Sequence, residues 1–285
     1  KEVISVLKTA DFSWLVIAVV VLAATITLTG IRWDQVLQSL HLHLPFQQVI
    51  RATWYGHFFN TILLGPAAGD IFKSTLFAKE RKLSLTQLLS ASWLDRLLAG
   101  IGSLIFGILV IFFTLATKQN IPLEIPKINP WLLIGIISFI LILFLAVKKF
   151  KILDKIKVIK KLKDSFIEAA TKMYNAPGKT IFVILLGCLG QVLLSSVLAW
   201  TLASVLQTNL PWTQMLWVFP VIAMLSTLPI SIGGVGIREG SSLILLGTYG
   251  VSKPDAVAAS LLCLCVYLLL AAVGGVLILV GNKNS

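Results

Sequence analysis

Long apolar runs separated by short polar ones set the character of this chain. Stretches at 13–30, 47–64, 84–117, 131–147, 180–207, 211–228 and 254–280 read as membrane spans, because about 20 apolar residues in a helix cross about 30 Å of hydrocarbon. The run at 84–117 is too long for one straight crossing, reaching roughly 50 Å at ~1.5 Å per residue. It is expected to tilt, to break near Gly100-Ile101-Gly102 or to begin outside the membrane. Between 228 and 254 there is room only for a short re-entrant piece. The pattern predicts an all-α polytopic helical bundle of about seven spans, one domain over 1–285, with two of its helices broken.

Two interruptions stand out against this pattern, Gly65-Pro66-Ala67-Ala68-Gly69-Asp70-Ile71-Phe72-Lys73 and Pro229-Ile230-Ser231-Ile232-Gly233-Gly234-Val235-Gly236-Ile237-Arg238-Glu239-Gly240. In the second, Pro229, Gly233, Gly234 and Gly236 prevent a regular helix until about Ile237. Glycines let successive backbone N–H groups line a concavity, and the helix start adds partial positive charge. With Arg238 offering a two-pronged fork, this is a place for an anion, most naturally a phosphate. The plainer reading is that the glycines allow tight helix packing and that Arg238 pairs with Glu239. In the first interruption Pro66 and Gly69 break the chain, Asp70 can cap the next helix, and Lys73 projects from its first turn. A cap with a snorkelling lysine is the plain alternative there. Asn60, one to two turns earlier, is placed to satisfy backbone groups that the break frees.

The interruptions resemble copies of one unit. Ser84 matches Ser252 and Ser92 matches Ser260 at an offset of 168 residues, and Lys73 matches Arg238 at 165. Apolar span, proline, glycines, basic residue, short helix, serine and long span recur in that order, as a duplicated transporter half would leave them. The halves fall at about 47–117 and 211–281. On this span count they share one orientation; one extra break in 84–117 would invert them.

Composition agrees, with 57% apolar and 13% charged residues and a mean hydropathy of +0.93, far from the soluble average of about 25% charged. Charge then sets sidedness. Residues 148–163 hold eight lysines against Asp154, and Lys73, Lys79, Arg81 and Lys82 follow the first interruption. By the positive-inside rule both face the cytoplasm, while 31–45, 118–130 and 207–211 fall outside. This puts the N-terminus in the cytoplasm of a multi-pass plasma-membrane protein. Ile152, Ile156, Ile159, Leu162, Phe166 and Ala170 recur at helical spacing, so 148–175 reads as a basic amphipathic helix on the inner leaflet, or more simply as a solvated positive loop. The first apolar run lacks a small-x-small cleavage site before Gly30 and is read as a retained span. Cys188, Cys263 and Cys265 lie in apolar runs and read as packing residues, and no metal site or cofactor is expected. Nucleic acid is excluded as a partner, since the basic stretch is a loop between spans.

Asp95-Arg96 lies about 20 Å past Lys82 along a continuous helix. At about 2.5–3.5 kcal/mol for each charge at that depth, both are expected to face the interior as an ion pair. Ser92, Asp95, Arg96, Ala99 and Ser103 form a small polar seam, and the matching positions of the second half, Cys263 and Leu264, are not charged.

At these residues the chain resembles the lysylphosphatidylglycerol synthase transmembrane-region family, the flippase-like domain of multiple peptide resistance factor proteins and their stand-alone relatives. The resemblance covers nearly the whole chain. It rests on Arg32-Trp33, Asn60 with Leu64-Gly65-Pro66, Gly69-Asp70 and Lys73, Asp95-Arg96, and Pro229 with Gly234-Val235-Gly236-Ile237-Arg238-Glu239. The family more often has Glu at the positions of Asp70 and Asp95 and Arg at that of Lys73. The resemblance implies lipid translocation and not synthesis of a lysyl-lipid.

The function expected is therefore that of a membrane lipid translocase, moving an anionic phospholipid or a polyprenyl-phosphate-linked glycolipid between leaflets. Lys73, Arg96 and Arg238 with Gly69, Gly233, Gly234 and Gly236 are the headgroup-binding candidates, and Asn60, Asp70, Asp95 and Glu239 the supporting polar groups. The alternative is an integral-membrane enzyme or accessory subunit of glycolipid or cell-envelope synthesis. The three candidate carboxylates are scattered and each stands by a cation, so no catalytic set is assigned. A glycosyltransferase or lipid-modifying enzyme as partner, and assembly as a homo-oligomer, are compatible with either role.

Overall fold

A computed structural model describes residues 2–63, 67–116, 157–205, 218–223, 225 and 236–281. Among them the fold is helical throughout. The helices are α1 (Glu2–Lys8), α2 (Phe12–Ser39), α3 (Phe46–Ile62), α4 (Ala67–Arg81), α5 (Leu85–Ala116), α6 (Lys157–Tyr174), α7 (Pro177–Ala203), α8 (Ile237–Gly247) and α9 (Lys253–Gly281), with a further helical stretch at 218–223. Four described helices, α2, α5, α7 and α9, are long and apolar enough to cross a membrane. The expected span at 131–147 lies outside the described residues, as does most of that at 211–228.

Two cores sit at opposite ends of the bundle. One joins the start of α2 (Ala18, Leu22, Ile26) to the end of α7 (Val197, Leu202), to Leu246 and Val251, and to the first half of α9 (Ala256, Ala259). The other joins the end of α2 (Trp33, Leu37) to Phe77 of α4, Leu88 and Ala91 of α5, Ala169 and Met173 of α6, and Val183 of α7. Outward faces stay apolar, with Val16, Val20, Leu104, Ile108 and Leu185 all exposed, as lipid contact requires. Within α2 the hydroxyls of Thr25, Thr27 and Thr29 donate to carbonyls one turn earlier at 2.8, 2.9 and 3.0 Å, so none is left bare in an apolar setting.

Direction along the bundle follows from specific contacts. The Asp11 N–H donates to the Ser204 carbonyl at 2.9 Å, and Trp14 stacks on Trp200 at 5.0 Å, so α2 and α7 are antiparallel. Ser90 donates to the Leu162 carbonyl at 3.4 Å, which places the start of α5 beside α6. The exposed Lys79, Arg81, Lys82, Lys160, Lys161 and Lys163 gather at this end. It is the basic end of the molecule, and α1 lies at the other.

That arrangement corrects the expectation that the N-terminus and the 148–175 segment share the cytoplasmic side. The whole length of α2, about 42 Å at ~1.5 Å per residue, separates α1 from α6. A second correction concerns 31–45, which was expected to face away from 73–82. Residues 31–39 continue α2, and Leu40, Leu42 and Leu44 pack with Leu83, Phe166 and Ala170 at the basic end. The reason is that α3 and α4 fold back on each other. Arg81 donates to Gln48 at 2.8 Å near the open ends of the pair, and the Gly69 N–H donates to Asn60 Oδ1 at 2.7 Å near its turn.

The long run at 84–117 does not break at Gly100-Ile101-Gly102. α5 is continuous, and Gly102 is a packing point whose missing Cβ admits the Ile184 carbonyl of α7, while Gly187 admits Ala99 in the same way. Such close backbone approach through small residues holds helices together where lipid gives no hydrophobic drive. Ala169 and Met173 bury the apolar face of α6 on the bundle, while Lys160, Lys161 and Lys163 are exposed.

The pair α4–α5 turns at the basic end, whereas α8–α9 turns at the far end, where Leu246, Val251 and Ala256 meet Ala18 and Leu22. α9 then returns beside α3, its Leu277 carbonyl accepting from the Tyr55 hydroxyl at 3.2 Å. The two pairs therefore point in opposite directions, not in the same direction as the span count gave. The back-folded α3–α4 hairpin accounts for the difference.

Candidate functional site

The site is built where α4 begins. Asp70 falls in the first turn of α4, where an acid suits the positive end of the helix. Lys73 follows one turn later, and Asp70 Oδ1 receives its ammonium at 2.9 Å. The other carboxylate oxygen, Oδ2, receives Nε of Arg96 from α5. Gly69 lets this turn press against α3, since a Cβ there would strike the Gly56 carbonyl, and the bond from its N–H to Asn60 ties the helix start down.

Asp95 turns away from its neighbour Arg96. It accepts from Arg32 of α2 through both oxygens, Nε to Oδ1 at 2.6 Å and Nη2 to Oδ2 at 3.0 Å, the bidentate geometry that a guanidinium favours. The side chains of Arg32, Asp95, Lys73 and Asp70 are 11%, 3%, 5% and 8% exposed, against 39% for Arg96. Lys73 Nζ also sits over the Trp33 ring at 3.9 Å, and that ring lies against Phe77 at 6.0 Å. Ser74 and Ser92 complete the α4–α5 contact at 3.5 Å. Further along the seam Ser103 donates to Gln191 at 3.2 Å, and Gln191 reaches the Pro220 carbonyl at 3.4 Å.

A second, smaller polar group stands at the start of α8. Gly236 precedes the helix at φ +85°, a left-handed conformation that glycine adopts without strain. Its N–H donates to Oε2 of Glu239, and Ser260 of α9 donates to Oε1 of the same carboxylate at 3.0 Å. Arg238 is buried, 4% exposed, with its guanidinium carbon 5.1 Å from the Tyr267 ring. The ring of His57 of α3 lies 6.0 Å from that tyrosine ring, tilted to it.

The two groups echo one another. In each, a basic residue near the start of a short helix lies over an aromatic ring, Lys73 over Trp33 and Arg238 over Tyr267. In each, the next residue along, Ser74 or Glu239, meets a serine of the following long helix, Ser92 or Ser260.

Of the residues singled out from sequence, Asn60, Gly69, Asp70, Lys73, Asp95 and Arg96 come together around α4, while Gly236, Arg238 and Glu239 assemble at α8. Gly233 and Gly234 lie outside the described residues. The two assemblies do not coincide, because α4 packs on α3 and α5, α8 packs on α9, and α3 and α9 pack between them. The carboxylate of Glu239 accepts from the Gly236 N–H at the helix start and from Ser260 of α9. Arg32, Trp33 and His57 are additional members. The Arg32-Trp33 pair carries part of the family resemblance, but the span pattern puts it in the 31–45 loop and gives it no role in the site; for His57 nothing in the spacing marks it.

A sequence profile of the lysylphosphatidylglycerol synthase TM region matches residues 1–275. A UPF0104 membrane protein of Pyrococcus horikoshii is similar at 22% identity over 324 residues, an alignment covering 99% of this chain and 91% of that protein.

Proposed function

Because the chain belongs to the lysylphosphatidylglycerol synthase transmembrane-region family, we propose that it is a lipid translocase that passes an anionic lipid between leaflets without an ATPase of its own. The observation that carries this reading is the network of buried Arg32, Asp70, Lys73 and Asp95 inside the bundle, with the more exposed Arg96 joined to it through Asp70. Ionised side chains at such depth are costly and mark substrate or ion pathways. A phosphate crossing hydrocarbon loses its water, and fixed cations and N–H groups replace part of that shell.

The opposed directions of α4–α5 and α8–α9 support the same reading. Two short helices begin inside the bundle and run to opposite ends, the arrangement that inverted repeats give to transporters. On this reading α3–α4 is a re-entrant hairpin, the two halves descend from one duplicated unit, and the basic end faces the cytoplasm. The carboxylates argue for transport over acid–base chemistry. Asp70 and Asp95 are held by cations and Glu239 by Gly236 and Ser260.

Reconstitution in liposomes with fluorescent anionic lipids tests the proposal by a reductant that quenches only the outer leaflet. Wild-type protein is expected to expose the inner-leaflet lipid to quenching, and Arg238→Ala to abolish that exposure while keeping its helical content. Equal rates for the two proteins would refute the assignment of Arg238.

A further inference from the structure

Helices from the two halves of the chain meet along one seam, α3 from the half at about 47–117 and α9 from that at about 211–281. Their contact is close. A Cβ on Gly274 would strike the Trp54 carbonyl, one on Gly275 would meet the Phe58 ring, and the Tyr55 hydroxyl donates to the Leu277 carbonyl at 3.2 Å. Movement of one half against the other has to part or shear this seam, and His57 stands in it. His57 lies roughly 17 Å along α3 from Phe46, and Tyr267 roughly 21 Å along α9 from Lys253, at ~1.5 Å per residue. Both are therefore far from either end of the bundle.

The Nε2 atom of His57 is buried with no hydrogen-bond partner among the described residues. Its ring lies 6.0 Å from that of Tyr267 and against the backbone of the same residue. Tyr267 also carries a fixed cation, the guanidinium of Arg238, whose carbon is 5.1 Å from the ring. α3 packs on α2, α4 and α9. The ionisable groups these helices bring to the interior are Arg32 and Asp34 of α2, Asp70 and Lys73 of α4, and Cys263 and Tyr267 of α9. Arg32 is held by Asp95, Asp70 by Lys73 and Arg96, and Asp34 accepts from Gln38 at 2.7 Å. Among the described residues no carboxylate pairs with His57. An imidazolium in the packed seam would be buried near Arg238 without an acid to offset it, whereas water entering a parted seam would solvate it.

We propose that His57 is a proton-binding site of this seam, neutral while α3 and α9 stay packed and taking up a second ring proton when water reaches it, so that acid favours separation of the two helices. A group that binds protons better in one of two states shifts the balance toward that state as pH falls. Histidine suits the task, since in water its charge changes between about pH 5 and pH 8. The inference rests on the translocase reading for movement between the halves, and on the geometry of the seam for the place of the proton.

The test is the distance across the seam, read by pulsed electron–electron resonance on the full chain in nanodiscs. In a background lacking the native cysteines, spin labels at the exposed positions Phe46 with Leu279 and Ile62 with Leu269 bracket the seam at both ends. From about pH 8 to about pH 5, a longer distance in at least one pair is expected to gain about tenfold over the shorter one. His57→Gln, which stays neutral, is expected to abolish that change. Should His57→Gln fail to fold, the protein carrying His41→Gln and His43→Gln keeps a single histidine. Its imidazole signal, followed by nitrogen-15 NMR, is then expected to titrate with the same midpoint as the distance.

Distances that ignore pH in both pairs would overturn the inference, as would an undiminished response in His57→Gln or two separate midpoints. Transbilayer movement of lipid assayed alongside keeps the two claims apart. Movement without a seam response governed by His57 defeats this inference alone, and such a response without lipid movement defeats the translocase reading alone.

Discussion

Arg32 and Asp95 hold each other through two hydrogen bonds with little solvent to replace either partner. Asp95→Ala is expected to cost about 3–5 kcal/mol, because it strands a buried guanidinium. Replacing both residues by apolar ones should recover much of that loss, and thermal unfolding in detergent would reveal both effects. Asn60→Ala removes the acceptor of the Gly69 N–H and is expected to cost about 1–3 kcal/mol by the same measurement. The sequence made the expense of Asp70, Lys73, Asp95 and Arg96 legible, since charges in an oily run need a reason. Their pairing was not legible. Asp95 and Arg96 are adjacent and invite pairing with each other, yet neighbours on a helix point about 100° apart, so each found its partner on a different helix. The role of Arg32 is not legible for a related reason: in a hydropathy pattern a charge marks the end of a span, although a paired charge can lie within one, as Arg32 does in α2.

Glycines carried two meanings in these helices, and the letters alone did not separate them. At Gly102 and Gly187 the role is close packing of α5 on α7, since a Cβ at either would meet the backbone of the other helix. Gly102→Leu is expected to force the helices apart and cost about 1–3 kcal/mol, visible as a lower unfolding temperature with α-helical content unchanged below it. At Gly236 the role is a backbone turn at φ +85° that starts α8. Pattern reading located both short helices because polar residues and helix breakers interrupt the apolar period there. It missed the fold-back of α3 on α4, since hydropathy reports which residues avoid water but not which way a helix leaves its turn. That information resides in contacts such as Arg81 with Gln48, formed by residues 33 apart.

The placement of α1 and α6 at opposite ends of the bundle makes a prediction about sidedness. In a background lacking Cys188, Cys263 and Cys265, a cysteine at Thr9 should react with a membrane-impermeant maleimide applied to intact cells. One at Lys161 should react only after permeabilisation. Labelling of both from the same side would contradict the arrangement of α2. Fold class was legible from composition and run lengths, but the relative direction of the two helix pairs was not. One misjudged crossing reverses every element that follows, so this property belongs to the assembled chain and to no single segment. The opposed pairs also differ in what they hold, five ionised side chains around α4 against Arg238 and Glu239 at α8. In the proposed translocase, unequal resting places would release the passenger slowly from the stickier one, and that step would govern turnover. Because the same barrier would be met in both directions, such lopsidedness would adjust speed while leaving the final share of lipid in each leaflet to be decided by whatever consumes or supplies it.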